Sequence, residues 1–334
     1  MAAVPQLTFS NGSLTAPSRL QHGLPFDPTH GYGLEELLKI DAPEEVADFA
    51  DFWNTRRQVA LHWDPQARLH DTGVVRNGWR VLDLSYMSTG STKIQGWVLV
   101  PAQGEVKRGL VVGHGYGGRL EPDFNLPVND AVLFFPCARG LGRSSHPSIS
   151  ALPQWHVLHD IEDRSRYVLG GCVDDLWMAV TAMVQLFPQV VGHIGYMGIS
   201  FGGGIGTMAA AWEDRLGRAH FNVPTFGNQP LRMQLPSVGS AASVQQHVKS
   251  RPDALEVLRY FDAAVAARHM RVPVHLACAM FDPAVAPAGQ FAIYNALPGP
   301  KHLFVLTAGH HPHPGQELEE QRLRQELHTF FEEL

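Results

Sequence analysis

Cysteine is scarce in this 334-residue chain: Cys137, Cys172 and Cys278 are odd in number, widely spaced and set in apolar stretches. That suits reduced core residues in a reducing compartment better than a disulfide framework or a thiolate zinc site. Basic charge is in deficit too, with 26 Lys and Arg against 32 Asp and Glu and a formal charge of −6. No Lys/Arg-rich run is present that could neutralise a phosphate backbone, so nucleic acid is not an expected partner. No apolar run approaches the roughly 18 residues that a membrane span requires. The opening MAAVPQLTFSNGSLTAPS has neither a basic n-region nor an apolar h-region. The expectation is a cytoplasmic chain that does not engage a membrane. No internal repeat or low-complexity tract occurs.

What the chain does have is apolar content, at 45%, enough to bury one large core. Residues 1 to 33 are rich in Pro, Gly, Ser and Thr without a sustained period and read as an extended N-terminal arm; residues 34 to 334 read as a single domain. From Ala42, Val46, Phe49, Trp53 and Val59 recur at near-helical spacing and predict an amphipathic helix. GWRVLDLSYMS and IQGWVLVPA, separated by Thr89-Gly90-Ser91, predict an antiparallel pair at a sheet edge.

Short apolar runs then alternate with helical stretches: LVVGHG, AVLFFPCARG, HIGYMG, AHFNVP, VHLACAMFD and HLFVLTAGH. Runs of that kind, bounded by Gly and Pro, predict an α/β fold with a mainly parallel central sheet flanked by helices. Helices are predicted from Cys172 to Phe187 and from Gln316 onward, the latter on Leu318, Leu323, Leu327, Phe330 and Leu334. The polar, helix-compatible stretch from about 229 to 260 interrupts the alternation and predicts a small helical cap over the sheet's C-terminal edge.

The strongest chemical signal is Gly198-Ile199-Ser200-Phe201-Gly202, between the strand-like HIGYM and the helix-like GGIGTMAAAW. A nucleophile elbow needs that setting, because its serine sits on a sharp strand-to-helix turn where flanking glycines let backbones pass closely. A serine hydroxyl is a weak nucleophile at neutral pH, so a histidine must take its proton and a carboxylate must hold the imidazole. Asp282 ends one predicted strand and His310 follows another, in the order Ser, acid, His that an α/β-hydrolase uses. His311 and His313 compete with His310 for the role of base. For the oxyanion, the expected donors are the backbone N–H groups of Phe201 and of Tyr116, within His114-Gly115-Tyr116-Gly117-Gly118.

His310, His311 and His313 also admit a metal reading, but no H-E-x-x-H or recognised ligand spacing accompanies them, and no metal is expected. The glycines from Gly202 to Gly206 carry no G-K-[ST] or G-x-G-x-x-G, so close helix packing explains them and no cofactor is expected.

Together these residues resemble the acetyl xylan esterase and cephalosporin-C deacetylase family of carbohydrate esterases, of the α/β-hydrolase superfamily. The likeness runs from Phe52-Trp53 through IQGWVLVPA, HGYGGR, ARG, SFGGG, NVP, RYFD and FAIYNAL to AGH, covering most of residues 45 to 334. It assigns the acid to Asp282, ahead of Pro287 and Phe291 to Asn295, and the base to His310. It implies removal of acetyl or similar short acyl groups from small esters such as acetylated xylo-oligosaccharides, and a cytoplasmic homo-oligomer, a hexameric ring, with the 144–167 loop at an interface.

Three positions depart from the family pattern. Leu141 replaces the Gln of Arg-Gly-Gln, Phe201 replaces the Gln after the nucleophile, and His311 replaces the Glu after the catalytic His. A ring at 201 is expected to narrow or dry the acyl pocket. The expected activity is thus a serine esterase acting through an acyl-enzyme. A peptidase or dienelactone-type hydrolase with the same triad, and a catalytically silent small-ligand binder on the same fold, are the alternatives.

Overall fold

A computed structural model describes residues 6–9 and 20–334. The strands are β1 (Gln6–Phe9), β2 (Arg68–Arg76), β3 (Trp79–Ser88), β4 (Thr92–Pro101), β5 (Arg108–Gly113), β6 (Ala131–Pro136), β7 (Ile194–Ile199), β8 (Leu216–Asn222), β9 (Val274–Ala279) and β10 (Lys301–Leu306). The helices are α1 (Leu34–Leu37), α2 (Phe49–Leu61), α3 (Pro153–His156), α4 (Val168–Leu186), α5 (Phe201–Ala210), α6 (Gln229–Arg232), α7 (Ser240–Ser250), α8 (Ala254–Leu258), α9 (Ala263–Ala267), α10 (Pro287–Ala296) and α11 (Gln316–Glu332).

The strands join one sheet in the order β1-β10-β9-β8-β7-β5-β6-β4-β3-β2. From β1 to β6 the pairs are parallel, and β6-β4, β4-β3 and β3-β2 are antiparallel. All six predicted apolar runs are strands of the parallel part. β6 shows why they lack polar alternation: it is buried throughout, with Val132 and Phe134 in the core on one face and Leu133 and Phe135 in the core on the other. Both faces are covered, so each residue of the pleat needs an apolar side chain. Helices α2, α4, α5, α9 and α10 pack into the first core, and α11 closes the second with Leu323, Leu327, Phe330 and Phe331.

The structure corrects several local expectations. The first long helix begins at Phe49, not near Ala42, and Val59 is 53% exposed. Arg57 takes the buried position instead, because its guanidinium donates to both carboxylate oxygens of buried Glu213 at 2.9 Å. On α11 Leu318 is exposed, while Glu319 is buried. β2 was not predicted: RLHDTGVVR is exposed along most of its length, with a register shift between Asp71 and Val74, so the free sheet edge carries no alternating pattern to read. Part of the 1–33 arm is structured, since β1 pairs in parallel with β10 and residues 20–33 lie along the fold; residues 1–5 and 10–19 lie outside the described residues. Among the described residues, no helix is long and apolar enough to cross a membrane.

Trp53 anchors the first core. It is fully buried, its indole N–H donates to the Tyr260 carbonyl at 3.0 Å, and its ring packs against Trp177, Trp212 and Phe261. Trp53→Ala is expected to cost about 3–5 kcal/mol of stability. Urea denaturation of the two proteins checks this, and a loss below about 1 kcal/mol would show that the site collapses around the cavity.

Candidate active site

Ser200 lies between the end of β7 and the start of α5 at φ 54°, ψ −112°, a backbone conformation that a non-glycine residue adopts only under constraint. The turn is tight because α5 starts almost against β5. A Cβ on Gly202 would stand 2.7 Å from the Gly113 carbonyl carbon and 2.8 Å from the His114 oxygen, and one on Gly198 would stand 2.6 Å from the Gly202 oxygen. Only glycine fits either place. The Gly202 N–H donates to the His114 carbonyl at 2.9 Å and the Ser200 N–H to the Asn222 carbonyl at 2.8 Å, which pins the elbow between β5 and β8.

The structure brings Ser200, Asp282 and His310 together. His310 Nδ1 lies 2.8 Å from Asp282 Oδ2, and its Nε2 lies 2.9 Å from Ser200 Oγ. A carboxylate only accepts, so Nδ1 carries the proton and Nε2 is free to accept from the serine hydroxyl. Asp282 is fully buried and its remaining lone pairs are filled: the N–H groups of Ala284 and Val285 donate to Oδ1 at 2.9 Å, and Gln290 Nε2 donates to Oδ2 at 3.0 Å. Burial disfavours a charged His310, but the hydrogen bond and charge of Asp282 outweigh it and hold the imidazole above its ordinary pKa.

The neighbouring histidines go elsewhere. His311 Nε2 donates to the Gln21 carbonyl at 3.1 Å and its ring packs on Phe281. His313 Nε2 meets Glu319 at 3.2 Å. The three do not converge, and among the described residues no group of three His, Cys, Asp or Glu is placed to hold a metal ion. Glu319 also accepts from the Thr307 N–H and hydroxyl, so one buried carboxylate ties both ends of the loop that carries His310.

Residues before the domain core also reach this edge. The Pro28 carbonyl accepts the Asp282 N–H at 3.2 Å, Leu20 packs with Phe281 and Ala308, and the His22 ring lies on Phe281. Gln290, Glu319 and this 20–30 segment were not found from sequence. Their roles come from contacts across 8, 12 and more than 250 positions, and no local spacing encodes them.

Ser200 and His310 open into a cavity of about 670 Å³. Gly115, Tyr116, Ile199, Thr225, Val238, Ser240, Ser243, Ala284 and Val285 line it. The N–H of Phe201 belongs to the first turn of α5, where helix geometry supplies no acceptor. Tyr116 stands on the loop after β5. That loop is held by His114, whose Nε2 accepts the Ala138 N–H and whose Nδ1 donates to the Gly115 carbonyl at 2.7 Å. Burial keeps His114 uncharged, pushing its pKa down to about 4. The Phe201 ring does not narrow the cavity as expected. It is buried among Tyr116, His114, His156 and Phe226, on the core side of the elbow. Leu141 is buried as well.

Residues 31–328 match the family model described as acetyl xylan esterase. The chain belongs to the acetyl xylan esterase family. It is a carboxylic ester hydrolase with the α/β-hydrolase fold. Among solved structures it is similar to the acetyl xylan esterase from Paenibacillus sp. R4, at TM-score 0.76 and 21% identity over 88% of this chain and 99% of that one. It is also similar to acetyl xylan esterase 1 from Thermoanaerobacterium sp. JW/SL YS485, at TM-score 0.72 and 19% identity over 90% and 99%. The acylaminoacyl peptidase of Pyrococcus horikoshii shares the fold at TM-score 0.60 and 16% identity, over 76% of this chain and 42% of that one.

The geometry separates the adjacent histidines. His311→Ala is expected to retain most turnover of an acetyl ester, with a loss of no more than a few fold, whereas His310→Ala is expected to lose roughly three orders of magnitude or more. Steady-state rates for the two variants decide the point, and equal losses would reverse the assignment.

Proposed function

We propose that this esterase removes acetyl or similarly short acyl groups from small esters by a Ser200, His310, Asp282 relay. The observation that supports it is the unbroken hydrogen-bonded line from Asp282 through His310 to Ser200, at 2.8 and 2.9 Å, ending at an open cavity. His310 takes the hydroxyl proton as Ser200 attacks the ester carbonyl. The N–H groups of Tyr116 and Phe201 stabilise the oxyanion, and the imidazolium then protonates the departing alcohol. Water, activated by the same histidine, releases the acid from the acyl-enzyme.

Membership of the family supports an acetylated xylo-oligosaccharide or a related polyhydroxylated alcohol as substrate. The lining agrees in kind: Ala284 and Val285 offer a small apolar wall, while Thr225, Ser240 and Ser243 offer hydroxyls. We read residues 34–334 as one domain with the 229–260 segment as its cap, on the support of α7, whose Ser240 and Ser243 line the cavity. A homo-oligomer is proposed as well, supported by Leu152 and Trp155, which stand more than half exposed on the 144–167 loop. The cytoplasm is the proposed location, supported by three buried free cysteines.

Initial rates on 4-nitrophenyl esters from acetate to octanoate test the reaction. The expected result is a sharp preference for acetate and a fall of about four or more orders of magnitude in Ser200→Ala. A preference for longer chains would overturn the short-acyl reading, and an undiminished rate in Ser200→Ala would overturn the nucleophile.

A pH profile tests the base. His310 must be neutral to accept a proton and its pKa is raised, so kcat/KM is expected to rise with pH through a midpoint above 6.5. A midpoint below 6.5 would mean that Asp282 does not hold the imidazolium.

A further inference from the structure

The two proposed oxyanion donors, Tyr116 and Phe201, come from different elements, and their side chains meet. The ring centroids are 4.3 Å apart. His156, on the short helix α3, closes the group, with its ring edge-on to Tyr116 at 5.4 Å and to Phe201 at 5.9 Å. It is fully buried. Its Nε2 lies 2.9 Å from the Arg139 carbonyl, which can only accept, so Nε2 carries the proton and Nδ1 is an acceptor. The Tyr116 hydroxyl, 3.2 Å away, donates to that Nδ1.

Both ends of this contact are held. Arg139 donates through its guanidinium and its backbone N–H to buried Asp175, so the carbonyl that orients His156 belongs to a fixed residue. Burial pushes His156 down to about 4 and keeps it neutral, and burial raises the Tyr116 phenol well above 10, so the hydroxyl keeps its proton to donate. The hydroxyl bond to His156 and the ring contact with Phe201 hold the Tyr116 side chain at two points, on the loop residue whose N–H is the proposed donor.

We propose that His156 is a positioning residue: through the Tyr116 hydroxyl and the Phe201 ring it sets the spacing of the two N–H groups that receive the oxyanion. The proposal rests on the oxyanion reading above and extends it to a residue outside the cavity lining. It also gives the Phe201 ring a role, as the surface on which Tyr116 is seated.

The test compares full-length wild type, Tyr116→Phe, His156→Phe and the double variant in kcat, KM, melting temperature and affinity for phenylboronic acid, whose adduct with a serine oxygen is tetrahedral. Tyr116→Phe deletes one buried oxygen and keeps the ring, so it reports even if His156→Phe fails to fold. Each single variant is expected to lower kcat by about 5- to 50-fold, below the 10²–10³ that follows loss of an oxyanion donor outright, with KM within twofold. Boronate affinity should fall by the same factor. The double variant should be no slower than His156→Phe, because both substitutions break one bond. Unchanged kcat and boronate affinity with only a lower melting temperature would reduce His156 to a packing residue, as would additive losses. If wild-type turnover survives Ser200→Ala, the oxyanion reading itself fails; if turnover is Ser200-dependent while the variants stay at wild-type rates, only the role of His156 fails.

Discussion

The catalytic edge depends on the close approach of α5 to the end of β5, closed by the Gly202 N–H on the His114 carbonyl at 2.9 Å. That contact leaves no room for a Cβ at Gly202 and forces the chain to turn at Ser200 through a strained φ of 54°. The strain is sustained because β7 is held by cores on both faces of the sheet and α5 is packed into the first of them. The same approach places the first N–H of α5 and the loop after β5 side by side. The proposed nucleophile and both proposed oxyanion donors therefore follow from one backbone contact.

The proposed acid and base are held by a different device. Asp282 and His310 follow neighbouring parallel strands, β9 and β10, so the sheet spacing alone brings their loops together. Each loop is then fastened by buried polar groups. Gln290 and two backbone N–H groups hold the carboxylate, and Glu319 ties Thr307 to His313 around the imidazole. A buried polar network of this kind is costly if incomplete, and here each named partner is bonded. The 20–30 segment adds a third fastening, through the Pro28 and Gln21 carbonyls. His311 is one of the residues that reach it, its Nε2 donating to the Gln21 carbonyl beside the Asp282 contact with Pro28.

Two of the three departures from the family pattern have a physical account in this fold. Phe201 sends its ring into the core and seats Tyr116, and His311 binds the N-terminal segment. Leu141 is buried, and nothing further in the structure explains the exchange of an amide for it. Neither Phe201 nor His311 lines the cavity, whose wall includes Ala284, Val285 and the α7 residues instead.

The sequence by itself determined the parallel strands, the elbow and the order of Ser200, Asp282 and His310. Those features are local: a doubly buried strand must be apolar at every position, and a strand-to-helix turn must carry glycine where backbones touch. It did not reveal β2, whose exposed edge bears no period, nor the burial of Arg57 and Glu319, which look like surface charges until their partners are known. The choice between His310 and His311 was likewise tertiary, since adjacent side chains point apart and only the surrounding loops decide which one meets Asp282. The direction of the Phe201 ring was likewise tertiary, since the Tyr116 and Phe226 rings it packs against come from other elements.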